Sequence, residues 1–367
     1  MGTKVRPPWR RSQDTICQLQ GTKRDAEVRL AQLIAAAAAG EHIDPSRMTV
    51  GKFLDRWERD WAPMNVSAKT LERYKELLAH HVRPHIGAVR LQRLRTVDLA
   101  SLYGRLQRPK NQNGSGLSPR TVGHVHRLLH RAFGHAVKWS LIASNPAASA
   151  DPPRVERTEV QILDPAQIKA VVAALCGRWI HPIVILALAT GARRGELCAL
   201  RWRNIDLEAG RVAIEKSLEQ TNEGLRFKEP KTKAGKRSVS IPPSVAAQLR
   251  EHWRAQQEQR LALGLGRASE DDLVFGRLDG PIPPDTLSQE WARLVRQLRL
   301  PRVTFHALRH THVSALIRAG VDVVTVARRI GHSNPSLTLN VYSHLFGNPD
   351  RQLAEIIEGA LSGALNE

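Results

Sequence analysis

Residues 304–312 read Thr304-Phe305-His306-Ala307-Leu308-Arg309-His310-Thr311-His312. Helical spacing places His306 and Arg309 three apart, on one face. Leu308, Val313, Leu316 and Ile317 anchor the same helix in a core. Upstream, Ala189-Thr-Gly-Ala-Arg-Arg-Gly-Glu-Leu197 joins an apolar helix over 180–189 to a short one over 194–201 through a glycine turn. That turn presents Arg193 from a rigid base. Between these segments the pattern changes to alternation, over 204–215 and 236–241, with turns at Ala209-Gly210 and Ala234-Gly235. Residues 229–242 put Lys231 and Lys233 beside the second turn. Downstream, Gly331-His332 is followed ten residues later by Tyr342. The expected fold is mainly α with a small antiparallel β-sheet, an α+β class.

The charge is lopsided. The chain of 367 residues holds 55 Lys and Arg against 35 Asp and Glu, a formal charge of +20. Residues 48–150 contain 17 of those cations and six acids. Residues 101–150 contain seven cations, four histidines and no acid at all. A solvated helix face normally mixes signs, so a surface this one-sided points to a polyanionic partner, nucleic acid. Helix periodicity recurs through this region. Ser67 caps a helix with Leu71, Tyr74, Leu77 and Leu78 on its stripe. Ser118-Pro119 opens another with Val122, Val125, Leu128, Leu129, Phe133 and Val137 inward. Lys69 and Arg73 on the first helix, with Arg120, Arg127 and Arg131 on the second, are the expected DNA contacts. Tyr74 and Tyr103 read as core residues.

Breaks in composition divide the chain. Residues 1–47 form an N-terminal segment whose first 22 residues show no strand pattern and whose stretch 23–39 reads as helix. Residues 48–150 form a basic, all-helical domain. Residues 151–159, within a run rich in Pro and small residues, form a linker. Residues 160–367 form a second domain that opens a helix at Asp164-Pro165 and ends in an amphipathic segment, Arg351 to Leu365. Cys17, Cys176 and Cys198 show neither a disulfide framework nor zinc spacing, which fits a reducing compartment. The longest apolar run, 179–189, falls short of the roughly 20 residues a bilayer span needs. The expectation is a soluble, cytoplasmic, nucleoid-associated protein.

The basic segments resemble the tyrosine recombinase, or phage-type integrase, family. Its first box, Thr-Gly-x-Arg-x-x-Glu, is matched by Thr190, Gly191, Arg193 and Glu196. Its Lys-Thr-Lys-x-x-x-Arg pattern is matched from Lys231 to Arg237. Its His-x-x-Arg-His box is matched by His306, Arg309 and His310, and its Gly-His-to-Tyr spacing by Gly331, His332 and Tyr342. The resemblance implies a two-domain clamp on double-stranded DNA, with 48–150 as the core-binding (SAM-like) domain and 1–47 as a remnant of an arm-binding domain. It implies a homotetramer on DNA, assisted by a directionality factor and a DNA-bending protein, with the last helix docking at home or on a neighbour.

It also implies a metal-free, cofactor-free reaction. Tyr342 would form a 3′-phosphotyrosyl link, Arg193 and Arg309 would neutralise the phosphorane, and Lys231 would protonate the leaving 5′ oxygen. His306 would take the phenol proton and His332 would hold the phosphate. Lys233 is the alternative acid, because residues two apart on a strand share a face. Glu196 reads as a steadying group. Other readings are a metal cluster at His306, His310 and His312, a helix-turn-helix regulator over 321–342, a Mg²⁺-dependent integrase, and a type IB topoisomerase.

Overall fold

The computed structural model describes residues 22–25, 27–28, 31, 45–156, 160–230 and 232–342, with residues 3–5, 15–17 and 233 by their backbone alone. Two compact units divide the chain, Met1–Arg157 and Thr158–Glu367. Lys231 and the segment Arg351 to Leu365 lie outside the described residues.

The first unit begins with a pair the sequence pattern missed. Strand β1 (Thr3–Val5) runs antiparallel to β2 (Thr15–Cys17), with Lys4 opposite Ile16. Three-residue strands are too short for alternation to register. Of the helix expected over 23–39, residues 23–25, 27–28 and 31 are helical, and the remainder lies outside the described residues.

Four main helices follow: α1 (Val50–Asp60), α2 (Ala68–Leu77), α3 (Thr96–Gln107) and α4 (Pro119–Lys138). Thr49, Ser67 and Ser118 cap α1, α2 and α4 through side-chain oxygens that accept from backbone N–H groups three residues on. Val50, Phe53, Leu54 and Trp57 line one face of α1 and meet Val125, Leu129 and Phe133 of α4 in a single core. Phe53 and Phe133 stack at 6.2 Å. Fully burying such a side chain contributes about 1.5–3 kcal/mol. The Asn145-to-Ala150 part of the composition break is packed, not free: Asn145 donates to the His130 carbonyl, and Ala147 is wholly buried.

The second unit is built on α6 (His181–Thr190), with Ile183, Val184, Leu186 and Ala187 all buried. Around it pack α5 (Pro165–Leu175), α7 (Arg194–Cys198), α8 (Pro243–Ala262), α9 (Pro284–Gln297) and α10 (Ala307–Arg318). Proline stands in the first turn of α5, α6, α8 and α9, where its missing N–H has no helical partner to lose. A three-stranded antiparallel sheet runs β3 (Ile205–Asp206), β4 (Arg211–Ile214), β7 (Arg237–Ser240), as the alternation predicts.

A separate hairpin, β5 (Ser217–Thr221) with β6 (Gly224–Lys228), was not predicted. It pairs only with itself among the described strands, so 229–236 is a connection between two sheets and not one hairpin turn. Residues 233–235 form a 3₁₀ turn, so the strand geometry that made Lys233 an equivalent of Lys231 does not hold. Helices α11 (Val323–Ile330) and α12 (Ser336–Tyr342) are the last described elements of the unit. With α10 they enclose a small second core of Val313, Ile317, Val326, Ile330 and Tyr342.

Candidate active site

Two glycines shape the site. Helix α6 ends at Gly191 (φ +63°) and α11 ends at Gly331 (φ +70°), both left-handed C-caps. A Cβ on Gly191 would lie 2.7 Å from the His312 ring, and one on Gly331 would lie 2.8 Å from the Ala234 carbonyl oxygen. Glycine is needed at both for backbone angle and for clearance. The second contact also seats the 232–236 turn against Gly331-His332.

Arg309 is 4% exposed on α10 and donates to the carbonyls of Gly191 and Ile330, each at 2.7 Å. The guanidinium therefore sits on the C-terminal, partially negative ends of two helices. Among the described residues these two carbonyls use two of its five N–H groups. Burial, and then the neighbouring Arg193 charge, pull its pKa down to about 9, so it remains a cation at neutral pH. Arg193 precedes α7. Its backbone N–H and its Nη1 both donate to Glu196 at 2.8 Å, and its Nη2 donates to the Gly331 carbonyl at 3.3 Å.

Glu196 is 3% exposed and is also gripped by Arg237, whose Nη2 lies 2.8 Å from Oε2. Burial pushes the Glu196 carboxyl up, but the Arg237 hydrogen bond and charge with the Arg193 amide hold it below the ordinary value. It steadies the box, as the sequence suggests. Arg237 was visible in the sequence as the last residue of the lysine pattern; its role as the second clamp on Glu196 needed the fold. Arg193 and Arg237 thus hold one buried carboxylate, and Arg309 beside them has no ion-pair partner among the described residues.

The histidines divide by role. His306 is the N-cap of α10, one position outside the helix, and is exposed. His332 shares a 2.8 Å hydrogen bond with the buried Thr338 hydroxyl. His312 faces the other way. Its Nδ1 donates to the Leu188 carbonyl at 2.7 Å, and its Nε2 accepts from Arg329 at 3.1 Å. Arg329 donates on to the Ala189 and Ser240 carbonyls, both at 3.0 Å, tying α11 to α6 and β7. No three-histidine ligand set forms from these positions. Arg329 carried no sequence signal beyond its place in a basic helix end.

Tyr342 ends α12, 3% exposed, with its hydroxyl hydrogen-bonded to His310 Nδ1. Burial pushes the phenol pKa above its ordinary value, and Arg309 pulls the other way. His310, His312 and His332 are each lowered to about 4, burial being the first cause in all three. Folding therefore keeps them neutral while the unfolded chain, at an ordinary value of about 6.5, takes up protons. Stability rises with pH wherever the unfolded state binds more protons. It should fall as pH drops from about 6.5 towards 4, with the buried His312 alone costing about 2 kcal/mol by pH 5. Calorimetry at pH 7.5 and pH 5 checks this: an unchanged Tm would contradict the burial of these rings.

The first unit carries a basic groove of about 580 Å³, lined by Lys69, Arg73, Tyr74, His124, Arg127 and Arg131 among others. Four of the five predicted contacts line it, and Arg120 does not. Arg131 donates to the Tyr74 hydroxyl at 3.2 Å and lies 5.2 Å over the Trp61 ring. Tyr74 is thus not simply a core residue: its ring packs inward and its hydroxyl faces the groove. Tyr103 is core, at 3% exposed.

Comparison with known proteins agrees with this geometry. Residues 161–348 match the phage integrase family, and residues 49–106 match its N-terminal SAM-like domain. The chain is 26% identical over 343 residues to a tyrosine recombinase XerC-like protein of Caldanaerobacter subterraneus, covering 88% of this chain and 86% of that one. It is 28% identical over 250 residues to the ICEBs1 integrase of Bacillus subtilis, covering 67% of each. Among solved structures it resembles the Tn1549 transposon integrase in complex with a circular intermediate DNA, with a TM-score of 0.71 at 25% identity over 84% of this chain and 98% of that one. It shares its fold with lambda integrase, solved as a tetramer bound to a Holliday junction, with a TM-score of 0.56 at 18% identity over 90% and 93% of the two chains. Among the described residues no helix is long and apolar enough to cross a membrane. Motif, fold and pocket agree: the chain belongs to the phage integrase family and is a tyrosine recombinase, a site-specific DNA strand transferase.

Proposed function

We propose that this recombinase integrates or excises a phage or other mobile element, with Tyr342, Arg193, Arg309, Lys231, His306 and His332 as its catalytic set. The observation that carries the reading is a buried guanidinium with no carboxylate of its own among the described residues, close enough to a buried phenol for its charge to act on it: Arg309 beside Tyr342, with Arg193 next to Arg309. A phosphodiester supplies the missing negative charge. Planar N–H forks fit two non-bridging oxygens and stay protonated at neutral pH.

The Tyr342 oxygen attacks phosphorus, forms the 3′-phosphotyrosyl ester and expels the 5′ oxygen. Lys231 gives that oxygen its proton. A 5′ hydroxyl from a second strand reverses the attack, so the bond energy is conserved in the ester and neither ATP nor water is consumed. His306 and His332 flank the phosphate.

By the same reading, residues 48–150 and 160–367 each bind the duplex. Four copies assemble on two sites, with a directionality factor and a bending protein as partners and the bacterial nucleoid as the setting. The test is a nicked suicide substrate in EDTA. A protein–DNA band that survives denaturation supports the proposal. No adduct across a wide pool of sequences would favour a regulator instead, and site-independent relaxation of supercoils a topoisomerase.

The groove on the first unit makes a separate prediction. Arg127→Ala and Arg131→Ala together remove two phosphate contacts from the Lys69–Arg131 surface. The slope of log K against log salt should then become shallower by about 1–2 units. Fluorescence anisotropy between 50 and 200 mM salt reads this directly, and an unchanged slope would remove the groove from the interface.

A further inference from the structure

The phenol's partner is not the histidine that the family resemblance puts in that role. Among the described residues, the hydrogen-bond partner of the Tyr342 hydroxyl is His310 Nδ1. The two rings lie 5.7 Å apart, centre to centre. His306 sits one turn away, edge-on to His310 at 4.9 Å, and caps the helix. We propose that His310, and not His306, takes the proton from Tyr342 as it attacks, a role that rests on the tyrosine recombinase reading and names the base within it.

The chemistry suits the place. Arg193 and Arg309 cannot accept a proton, whereas an imidazole nitrogen can. For Nδ1 to accept, the neutral ring must carry its proton on Nε2. Burial, with His306 and then Arg309 beside it, lowers the His310 pKa to about 4, which keeps the ring neutral and able to accept at physiological pH. Among the described residues, the groups facing it are His306 at the N-cap and Arg309 from its own helix, Tyr342 from α12 and His332 from the α11–α12 turn. None is an anion while the phenol keeps its proton, and Glu196, the carboxylate of the site, is held by Arg193 and Arg237. A phosphodiester entering the pocket brings the negative charge that stabilises an imidazolium. His310 is therefore a weak base in the free protein and a stronger one once DNA is seated, so the nucleophile is activated only where there is a phosphate to attack.

The step balances. The Oη–H bond of Tyr342 breaks and its proton moves to Nδ1 of His310. The Oη–P bond forms, the P–O5′ bond breaks, and the leaving 5′ oxygen takes a separate proton from the general acid. On rejoining, His310 returns its proton to the phenol oxygen.

His310→Asn is the decisive variant, because its side-chain oxygen can still accept from the phenol but cannot take its proton. Single-turnover adduct formation on a suicide substrate should slow about 100-fold at pH 7. Its rate should then climb roughly tenfold per pH unit from 7 to 9, as hydroxide replaces the base, while the unaltered protein stays flat. Affinity for the DNA, read by gel shift, should hold within about twofold. His306→Asn should keep the flat profile whatever its rate. The proposal is overturned if His310→Asn stays within about threefold of the unaltered protein, if it slows without acquiring the slope, or if His306→Asn acquires it instead. Should the Asn variant fold poorly by circular dichroism, His310→Gln is read by the same two measurements. If the unaltered protein forms no adduct, the recombinase chemistry itself fails; if it does and His310→Asn matches it, only the choice of base fails.

Discussion

Tyr342→Phe is expected to abolish the covalent DNA adduct completely while leaving DNA binding unchanged. The substitution removes one oxygen from a ring that is 3% exposed. The ring itself packs with Val313, Ile317, Val326 and Ile330, and Phe keeps all of those contacts. The folding cost is limited to the lost hydrogen bond to His310, about 1 kcal/mol. The chemical cost is total, because Tyr74 and Tyr103, the other two phenols of the chain, both belong to the first unit's own core cluster and groove. Denaturing gels of a suicide substrate show the adduct band, and gel shifts show binding. A residual adduct in the variant would move the nucleophile elsewhere.

Arg309→Ala is expected to lower single-turnover cleavage by about 10²–10³, the loss typical of removing a charge-stabilising donor. A second cost comes with it. The Gly191 and Ile330 carbonyls lose their buried donor, which destabilises the unit by about 1–3 kcal/mol each if nothing replaces it. Arg309→Lys separates the two effects. It restores charge but not the planar fork that reaches both carbonyls and two phosphate oxygens at once. Its Tm should recover in part while its cleavage rate stays near that of the Ala variant. Saturating protein over a suicide substrate, alongside thermal melts, measures both. A lysine variant with full activity would show that charge alone suffices.

How much of this was legible differs by residue. Arg193 and Glu196 were readable because a glycine turn between two helices is a local event, and a capping pair three residues apart is local too. The sheet β3–β4–β7 was readable because its alternation and its Gly210 turn lie in short windows. The hairpin β5–β6 was not: its turn, Asn222-Glu223, lacks the Asn-Gly signal, and β5 reads Ser-Leu-Glu-Gln-Thr with Leu218 as its one apolar residue, so no alternation marks it.

The split of the histidines was hidden for a different reason. His306, His310 and His312 sit within one helical turn or two, and sequence spacing alone cannot say which of them meets a tyrosine 32 residues later. That depends on where α12 returns to α10. The bridge from Arg329 through His312 to Leu188 spans three elements and leaves no trace in any one of them.

The small core beneath Tyr342 has a consequence for how the reaction is governed. Among the described residues the phenol packs in a cluster of five buried side chains, Tyr342 included, drawn from α10, α11 and α12 and separate from the large core of α6, α8 and α9. Opening so small a cluster takes less free energy than melting the whole unit. Because α11 supplies both Val326 and Ile330 to that cluster and the carbonyls that seat Arg309 and Arg193, packing the attacking atom in place and setting the phosphate cradle are one event and not two.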